Sequence, residues 1–293
     1  MRAARGLLTL LLAFGLAGSA HAAPATLFDV AKLPLPAIDG KEIADSQASY
    51  SSSFAPRSPG TPGEAAATEF LVAEARSFGY ETTVQPMPIR DGDGTGLAKA
   101  IVATKKGLTK PDEYLVFMAH YDSNPGVGGV SVEAAYDNAS GTMMLRAMAK
   151  ALAAVPTNRS VMVVWYNGEE EGLLASEAHA KAQKAAGMKV RMAFGFDMVG
   201  IAYPVGNPVA GSCLCIWHGA DDEGTEALQR RVNFGVLGFP EGDRLVELRG
   251  KNARSSDESA WDDQGYPTMR WAGMQAAADY PAVIEGRVGA VGL

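Results

Sequence analysis

Histidine, cysteine and long apolar runs are all scarce in this chain of 293 residues. There are four histidines and two cysteines. Cys213 and Cys215 stand too close for a relaxed disulfide, and C-x-C is no metal signature, so they read as alternating residues of a buried strand. After the first 22 residues no stretch approaches 18 consecutive apolar residues, which excludes a membrane-spanning helix from the rest of the chain. Positive charge is also short: 26 Lys and Arg stand against 33 Asp and Glu, for a net charge of −7. That balance argues against nucleic acid or an anionic membrane surface as partner, and suits a site that holds cations. No internal repeat or low-complexity tract follows Gly63, and this length of chain can bury one sizeable α/β core.

The single long apolar run lies at the start. Arg2 and Arg5 precede an apolar Gly6–Ala20, and Ala20-His21-Ala22 is an A-x-A cleavage signal. Residues 1–22 are therefore expected to be a secretory signal peptide, and the protein to be exported to a periplasm or the outside. Residues 23–62 are rich in Pro, Ser and Ala without apolar periodicity, and read as an irregular lead-in.

From Gly63 to Leu293 the pattern predicts one α/β domain. Ala67, Phe70, Leu71, Ala75 and Phe78 recur at helical spacing, closed by Gly79. Strands are expected at Tyr80–Pro86, Ala98–Thr104, Tyr114–Ala119, Ser160–Tyr166, Val190–Phe196, Ser212–Trp217, Leu245–Leu248 and Thr268–Trp271. Helices are expected from about Asn138 through the Met144–Leu152 stripe, over Gly172–Ala186 and over Glu223–Val236. Strands alternating with helices imply a mainly parallel mixed sheet between helical layers, a three-layer α/β/α fold.

Three polar clusters each follow a buried strand: His120-Tyr121-Asp122, Gly168-Glu169-Glu170-Glu171-Gly172, and Asp197. In open parallel sheets ligands bind outside the carboxyl ends of the strands, so the clusters should meet at one rim. Any of them alone has an ordinary reading: a structural histidine, a solvated helix start, a turn-forming aspartate. Together, several carboxylates at one low-dielectric rim would repel unless cations sat between them. One histidine with several carboxylates suits zinc, or manganese and cobalt by near chemistry. Asp137, 17 residues after His120 and at the mouth of a helix, can reach the same rim.

The order HYD, YDNASG, NGEEEGLLAS, FDMVG closely resembles the co-catalytic di-zinc aminopeptidases, a group that includes glutamate carboxypeptidases and glutaminyl cyclases. Arg57-Ser58-Pro59-Gly60-Thr61 is similar to that family's entry motif, and Ser256-Asp257 with Gly265-Tyr266-Pro267 to its late loop, so the resemblance runs from about Ala55 to Tyr280. It implies a zinc exopeptidase acting on peptides, with Asp137 bridging two Zn²⁺ ions. His120 and Asp197 would complete one metal site and Glu170 would serve the other. Glu169 would be the general base toward the attacking water, and Asp122 the residue orienting His120. Carboxypeptidase or cyclase chemistry would be built from the same ligands.

The family's last metal-binding histidine has no counterpart, because no histidine follows His218, and the expected reading is a truncated or frameshifted end with one metal site incomplete. Glu258 stands where the family often has histidine. His218 and His179, the latter on an exposed-looking helix, are candidate replacements, although structural roles suit both better. The leading reading is an exported aminopeptidase whose missing histidine would impair its activity. The alternative is a non-catalytic metal- or peptide-binding homologue.

Overall fold

The computed structural model describes residues 38–87, 98–124, 133–199, 214–218, 245–249 and 256–272. The expected signal peptide, the lead-in before Ile38, the helix expected at Glu223–Val236 and the residues after Ala272 lie outside the described residues.

Helices α1 (Gly40–Phe54) and α2 (Pro62–Ser77) precede β1 (Glu81–Pro86), β2 (Lys99–Lys105) and β3 (Lys110–His120). A π-type turn (Ala135–Ser140) leads into α3 (Gly141–Ala153), followed by β4 (Arg159–Tyr166), α4 (Leu174–Ala185) and β5 (Lys189–Asp197). Then come β6 (Leu214–His218), β7 (Leu245–Arg249), α5 (Asp257–Asp263) and β8 (Thr268–Ala272). The strands form one mixed sheet in the order β1-β2-β4-β3-β5-β8-β6-β7. Its centre, β4-β3-β5-β8, is parallel throughout, while β1 and β2 join antiparallel at one side and β6 pairs antiparallel with β8 at the other.

Side-chain alternation along these strands divides the core in two. Leu115, Phe117 and Ala119 of β3, with Val161, Val163 and Trp165 of β4, face α1, α2 and α3. Val116, Met118, Val164 and Tyr166 face the opposite way, onto Ala175 and Ala180 of α4 and Trp261 of α5. All eight residues of β4 are buried, as a strand covered on both faces requires. A large apolar side chain so buried contributes about 1.5–3 kcal/mol. The Met144–Leu152 stripe of α3 is core at Met148, Ala151 and Leu152, with Met144 partly buried against it and Met143 and Leu145 adding to the same cluster. Among the described residues no helix is long and apolar enough to cross a membrane.

Two expectations are corrected. Residues 40–54, read as irregular, form α1: the Asp39 carboxylate caps it by accepting from Lys41 N–H at 2.9 Å, and Tyr50 and Phe54 pack with Phe70 at centroid distances of 5.9 and 5.4 Å. The sequence hid it because its buried face is largely polar, through Gln47, Tyr50 and Ser51, so tertiary packing and not apolar period sustains it. Asp257 and Glu258, read as loop, begin the short helix α5 and are buried. The entry into α2 does follow its sequence: Thr61 Oγ1 accepts from Glu64 N–H at 3.2 Å, with Pro62 at the first helical position.

Candidate metal centre

The carboxyl ends of β3, β4 and β5, neighbours in the sheet, bring His120, Glu169 and Asp197 to one rim. Each is fixed by its strand end. The His120 carbonyl accepts from Thr142 Oγ1 at 2.8 Å, tying β3 to α3. Tyr121 turns inward, where its hydroxyl meets Glu64 Oε1 at 2.5 Å and Thr68 Oγ1 at 2.8 Å. This leaves His120 and Asp122, either side of it, to face the rim. After β4, Gly168 takes φ +76°, a left-handed conformation that aims the Glu169–Glu170 turn back over the sheet.

Asp137 arrives from the turn before α3. Asn138 stitches this turn to the end of β5: its Nδ2 donates to Phe196 O at 2.9 Å, and its Oδ1 accepts from Gly141 N–H at 2.9 Å and Met198 N–H at 3.2 Å. Gly141 is needed where it stands, because a Cβ there would lie 2.4 Å from both Asn138 Oδ1 and Phe196 O.

His120 is the centre of the cluster. Its Nδ1 is 3.3 Å from Asp122 Oδ1, and its Nε2 is 3.2 Å from Asp137 Oδ1, 3.4 Å from Asp197 Oδ1 and 4.0 Å from Glu169 Oε2. The ring is 1% exposed, and neither nitrogen makes a well-directed hydrogen bond. Asp122 Oδ1 and Asp197 Oδ1 are likewise buried without one. Ligand atoms about 2.0–2.1 Å from a tetrahedral zinc ion stand about 3.3–3.4 Å apart. The spacings of Nε2 to Asp137 and Asp197 match that span, so the donor set fits the ion. One ligand atom each from His120, Glu169 and Asp197 lie within 4.8 Å of one another.

Glu170 belongs to the same rim but contacts other groups. Its N–H donates to Asp122 Oδ2 at 3.3 Å, and its Oε2 accepts from Asn124 Nδ2 at 3.1 Å. Burial, aided by the charge of Asp137, raises its carboxyl to about 8. Burial likewise lifts Glu169 well above the carboxylate range, and lifts Asp137. Burial opposes charge on His120 too, but the carboxylates of Glu169, Asp122, Asp137 and Asp197 win and hold the imidazole well above its usual value. Asp197 is held low against its burial by His120 and by Arg270, whose Nη1 is 3.6 Å away. A site of this kind demands positive charge at its centre.

Asp257 and Glu258, noted in the sequence only for their likeness to the late loop, are buried in the structure. Asp257, 2% exposed, adds a carboxylate whose charge acts on Glu169, and burial raises it to about 7. Glu258 lies 3.5 Å from Arg270 Nε, and a Cβ on Gly195 would come within 2.8 Å of its Oε2. The buried Asp-Glu pair at 257–258 was visible in the sequence, but its partner Arg270 is a distant residue on another strand. His179 is not exposed as expected: it is 0% exposed, with Nδ1 2.7 Å from Tyr166 Oη and Nε2 3.0 Å from Gln183 Nε2. The side chain of His218 lies outside the described residues.

The pattern of peptidase family M28 matches residues 100–283. A probable zinc metalloprotease of Pyrenophora tritici-repentis is 34% identical over 103 residues, which is 34% of this chain and 24% of that protein. Aminopeptidase YwaD of Bacillus subtilis is 29% identical over 143 residues, 47% of this chain and 29% of that protein. The chain thus spans well under half the length of these curated relatives. Among solved structures, the glutaminyl cyclase of Fimbriiglobus ruber superposes with a TM-score of 0.65 at 20% identity, covering 86% of this chain and 88% of that one, a likeness of fold.

Proposed function

Because the chain belongs to peptidase family M28, we propose that it is an exported zinc-dependent exopeptidase, removing N-terminal residues from peptides as an aminopeptidase. The observation that carries this reading is the His120 Nε2 facing three carboxylates at 3.2–4.0 Å with no hydrogen bond of its own. Export rests on residues 1–22, with their paired arginines, apolar run and A-x-A site.

Each residue then has a task. Asp122, against Nδ1, holds the ring in the tautomer that leaves the Nε2 lone pair for the ion. Asp137 and Asp197, whose oxygens lie 3.2 and 3.4 Å from Nε2, would be oxygen ligands to that ion, and Glu170, whose carboxyl feels the charge of Asp137, would serve a second one. A bound zinc ion would supply Lewis acidity, polarising the peptide carbonyl and acidifying water. Glu169 receives the proton of the attacking water and returns it to the leaving amine. Its low exposure keeps that proton from bulk water, and positive charge in the site would draw its carboxyl down from the raised value into the range where a base can work.

Among the described residues the two metal positions are unequal: His120, Asp137 and Asp197 would give one ion three ligands, while Asp137 and Glu170 would give the other two oxygens and no nitrogen, since His179 is committed to Tyr166. Two carboxylates without a nitrogen hold zinc weakly. One tightly held ion and low peptidase activity are the expected state, with activity rising in excess zinc. Metal content by mass spectrometry, with hydrolysis of a panel of aminoacyl reporter substrates, tests the reading. A protein that retains no metal and hydrolyses none of the panel with added zinc would sink it. Two equally tight ions would refute the inequality.

A further inference from the structure

Three successive backbone carbonyls, those of Glu133, Ala134 and Ala135, lead into the turn that carries Asp137, and each is captured by a side chain from far upstream. Arg57 Nη1 donates to Glu133 O at 2.9 Å and Nη2 to Ala134 O at 3.0 Å. Gln47 Nε2 donates to Ala135 O at 2.7 Å. The same guanidinium reaches the other ligand-bearing segment, because Arg57 Nε donates to Tyr121 O at 2.9 Å, between His120 and Asp122. The Arg57 N–H donates to Ser123 Oγ at 2.9 Å and Ser58 Oγ to Ser123 O at 2.9 Å. Arg57 is 0% exposed and lies over the Tyr50 ring, 5.0 Å from its centroid.

We propose that Gln47 and Arg57 are positioning residues: from residues 40–57 they hold the backbone before Asp137 in register with the His120–Asp122 segment, and so set the geometry of the metal ligands. The inference rests on the metallopeptidase reading above. The turn has reason to need outside support. Ala134 takes φ +49°, a left-handed conformation unfavourable for a non-glycine residue, which persists where its surroundings impose it. Mere filling of space would need no donors at Gln47 and Arg57. The planar guanidinium fork fixes the direction of three carbonyls at once, which a lysine cannot do. Neither residue touches the reacting groups, so their effect passes through Asp137 and His120.

The test is the affinity of the full chain for Zn²⁺ alone, by competition with a chromophoric chelator, alongside thermal melting of the zinc-free proteins. Partners that orient metal ligands typically change affinity by about 10–100-fold when removed. Arg57→Met should weaken zinc binding over that range, Gln47→Met by about tenfold, and Arg57→Lys should recover part of the loss. Glu42→Gln, on the same helix as Gln47 and breaking only its exposed pair with Lys150 of α3, should change nothing. A residue that merely supported the fold would lower the melting temperature yet leave zinc affinity unmoved while the chain stays overwhelmingly folded. Should Arg57→Met fail to fold, Gln47→Met and Arg57→Lys decide. If both bind zinc within twofold of the parent, the inference is overturned, whatever they do to melting. If the parent chain itself binds no zinc, the metallopeptidase reading falls and takes the inference with it.

Discussion

Two of the described histidines are buried, and their surroundings could hardly differ more. His120 sits among Asp122, Asp137, Glu169 and Asp197, with no well-directed hydrogen bond. His179 sits among Tyr166, Gln183 and Trp261, with both nitrogens partnered and the Trp261 ring 5.6 Å away edge-on. Burial is nearly equal, yet it opposes the proton successfully only at His179, whose value falls to about 4, while the carboxylates push His120 well above the ordinary range. Depth therefore does not separate the proposed metal ligand from the core histidine. The charge and hydrogen-bond satisfaction of the neighbours do.

The sharpest way to break the comparison is to remove each histidine in turn. His120→Asn should abolish hydrolysis and weaken zinc binding by more than about 100-fold, beyond the range for residues that only orient a ligand. His179→Gln should leave zinc affinity within about twofold, since changes away from a metal's partners do not enter its ligand field. Zinc titration by chelator competition reads both. Equal losses in the two variants would erase the distinction.

Within the His120 cluster, the carboxylates should separate by role. Glu169→Gln is expected to lower kcat by about 10²–10⁴-fold with zinc content unchanged, the cost of losing a general base. Because a Glu169 oxygen lies within 4.8 Å of the His120 and Asp197 ligand atoms, loss of zinc in this variant would instead make Glu169 a ligand and exchange its role with Glu170. Asp122→Asn, which keeps the shape but not the charge beside Nδ1, should weaken zinc binding by about 10–100-fold. An unchanged affinity would leave His120 oriented by its backbone alone.

The sequence carries the His120 side of this contrast openly and conceals the other. HYD, the glutamate run and Asp197 each sit directly behind an apolar strand, so local pattern and the strand-end rule bring them to one rim. His179 looked exposed because its own helix is mostly polar, with Lys181, Gln183 and Lys184 nearby. What buries it is Trp261, 82 positions later, on a seven-residue helix too short to show a period. The same distance effect hid α1. Its buried residues Gln47 and Ser51 are polar, and the reason for burying Gln47 is a carbonyl 88 residues away. The limit of the reading is thus long-range satisfaction of polar groups, which leaves no periodic trace in the chain.

The smallest expected effect concerns His179 and acid. Gln183 Nε2 is an amide donor 3.0 Å from His179 Nε2, so that ring nitrogen accepts and must stay unprotonated, while Tyr166 Oη, which accepts from Trp261 Nε1–H at 3.2 Å, lies 2.7 Å from His179 Nδ1. A histidine with a folded value of about 4 and an unfolded value of about 6.5 binds its proton more readily when unfolded. Its contribution to stability is complete above pH ~6.5 and is lost as pH falls toward 4, by at most about 1.4 kcal/mol per pH unit. The raised carboxylates of the metal site oppose this trend: Glu170, about 8, and Asp257, about 7, bind protons more readily when folded, so acid favours the folded state through them. The net pH profile of the parent chain therefore does not isolate the histidine. The difference between the parent and His179→Gln does, because both keep the same metal site. Urea unfolding of the two zinc-free proteins from pH 8 to pH 4.5 should give a stability difference that is flat above about pH 7 and then declines as acid weakens the parent alone. A difference that stays flat to pH 4.5 would mean that His179 titrates alike in the folded and unfolded chain, and that its hydrogen bonds with Tyr166 and Gln183 do not hold it neutral.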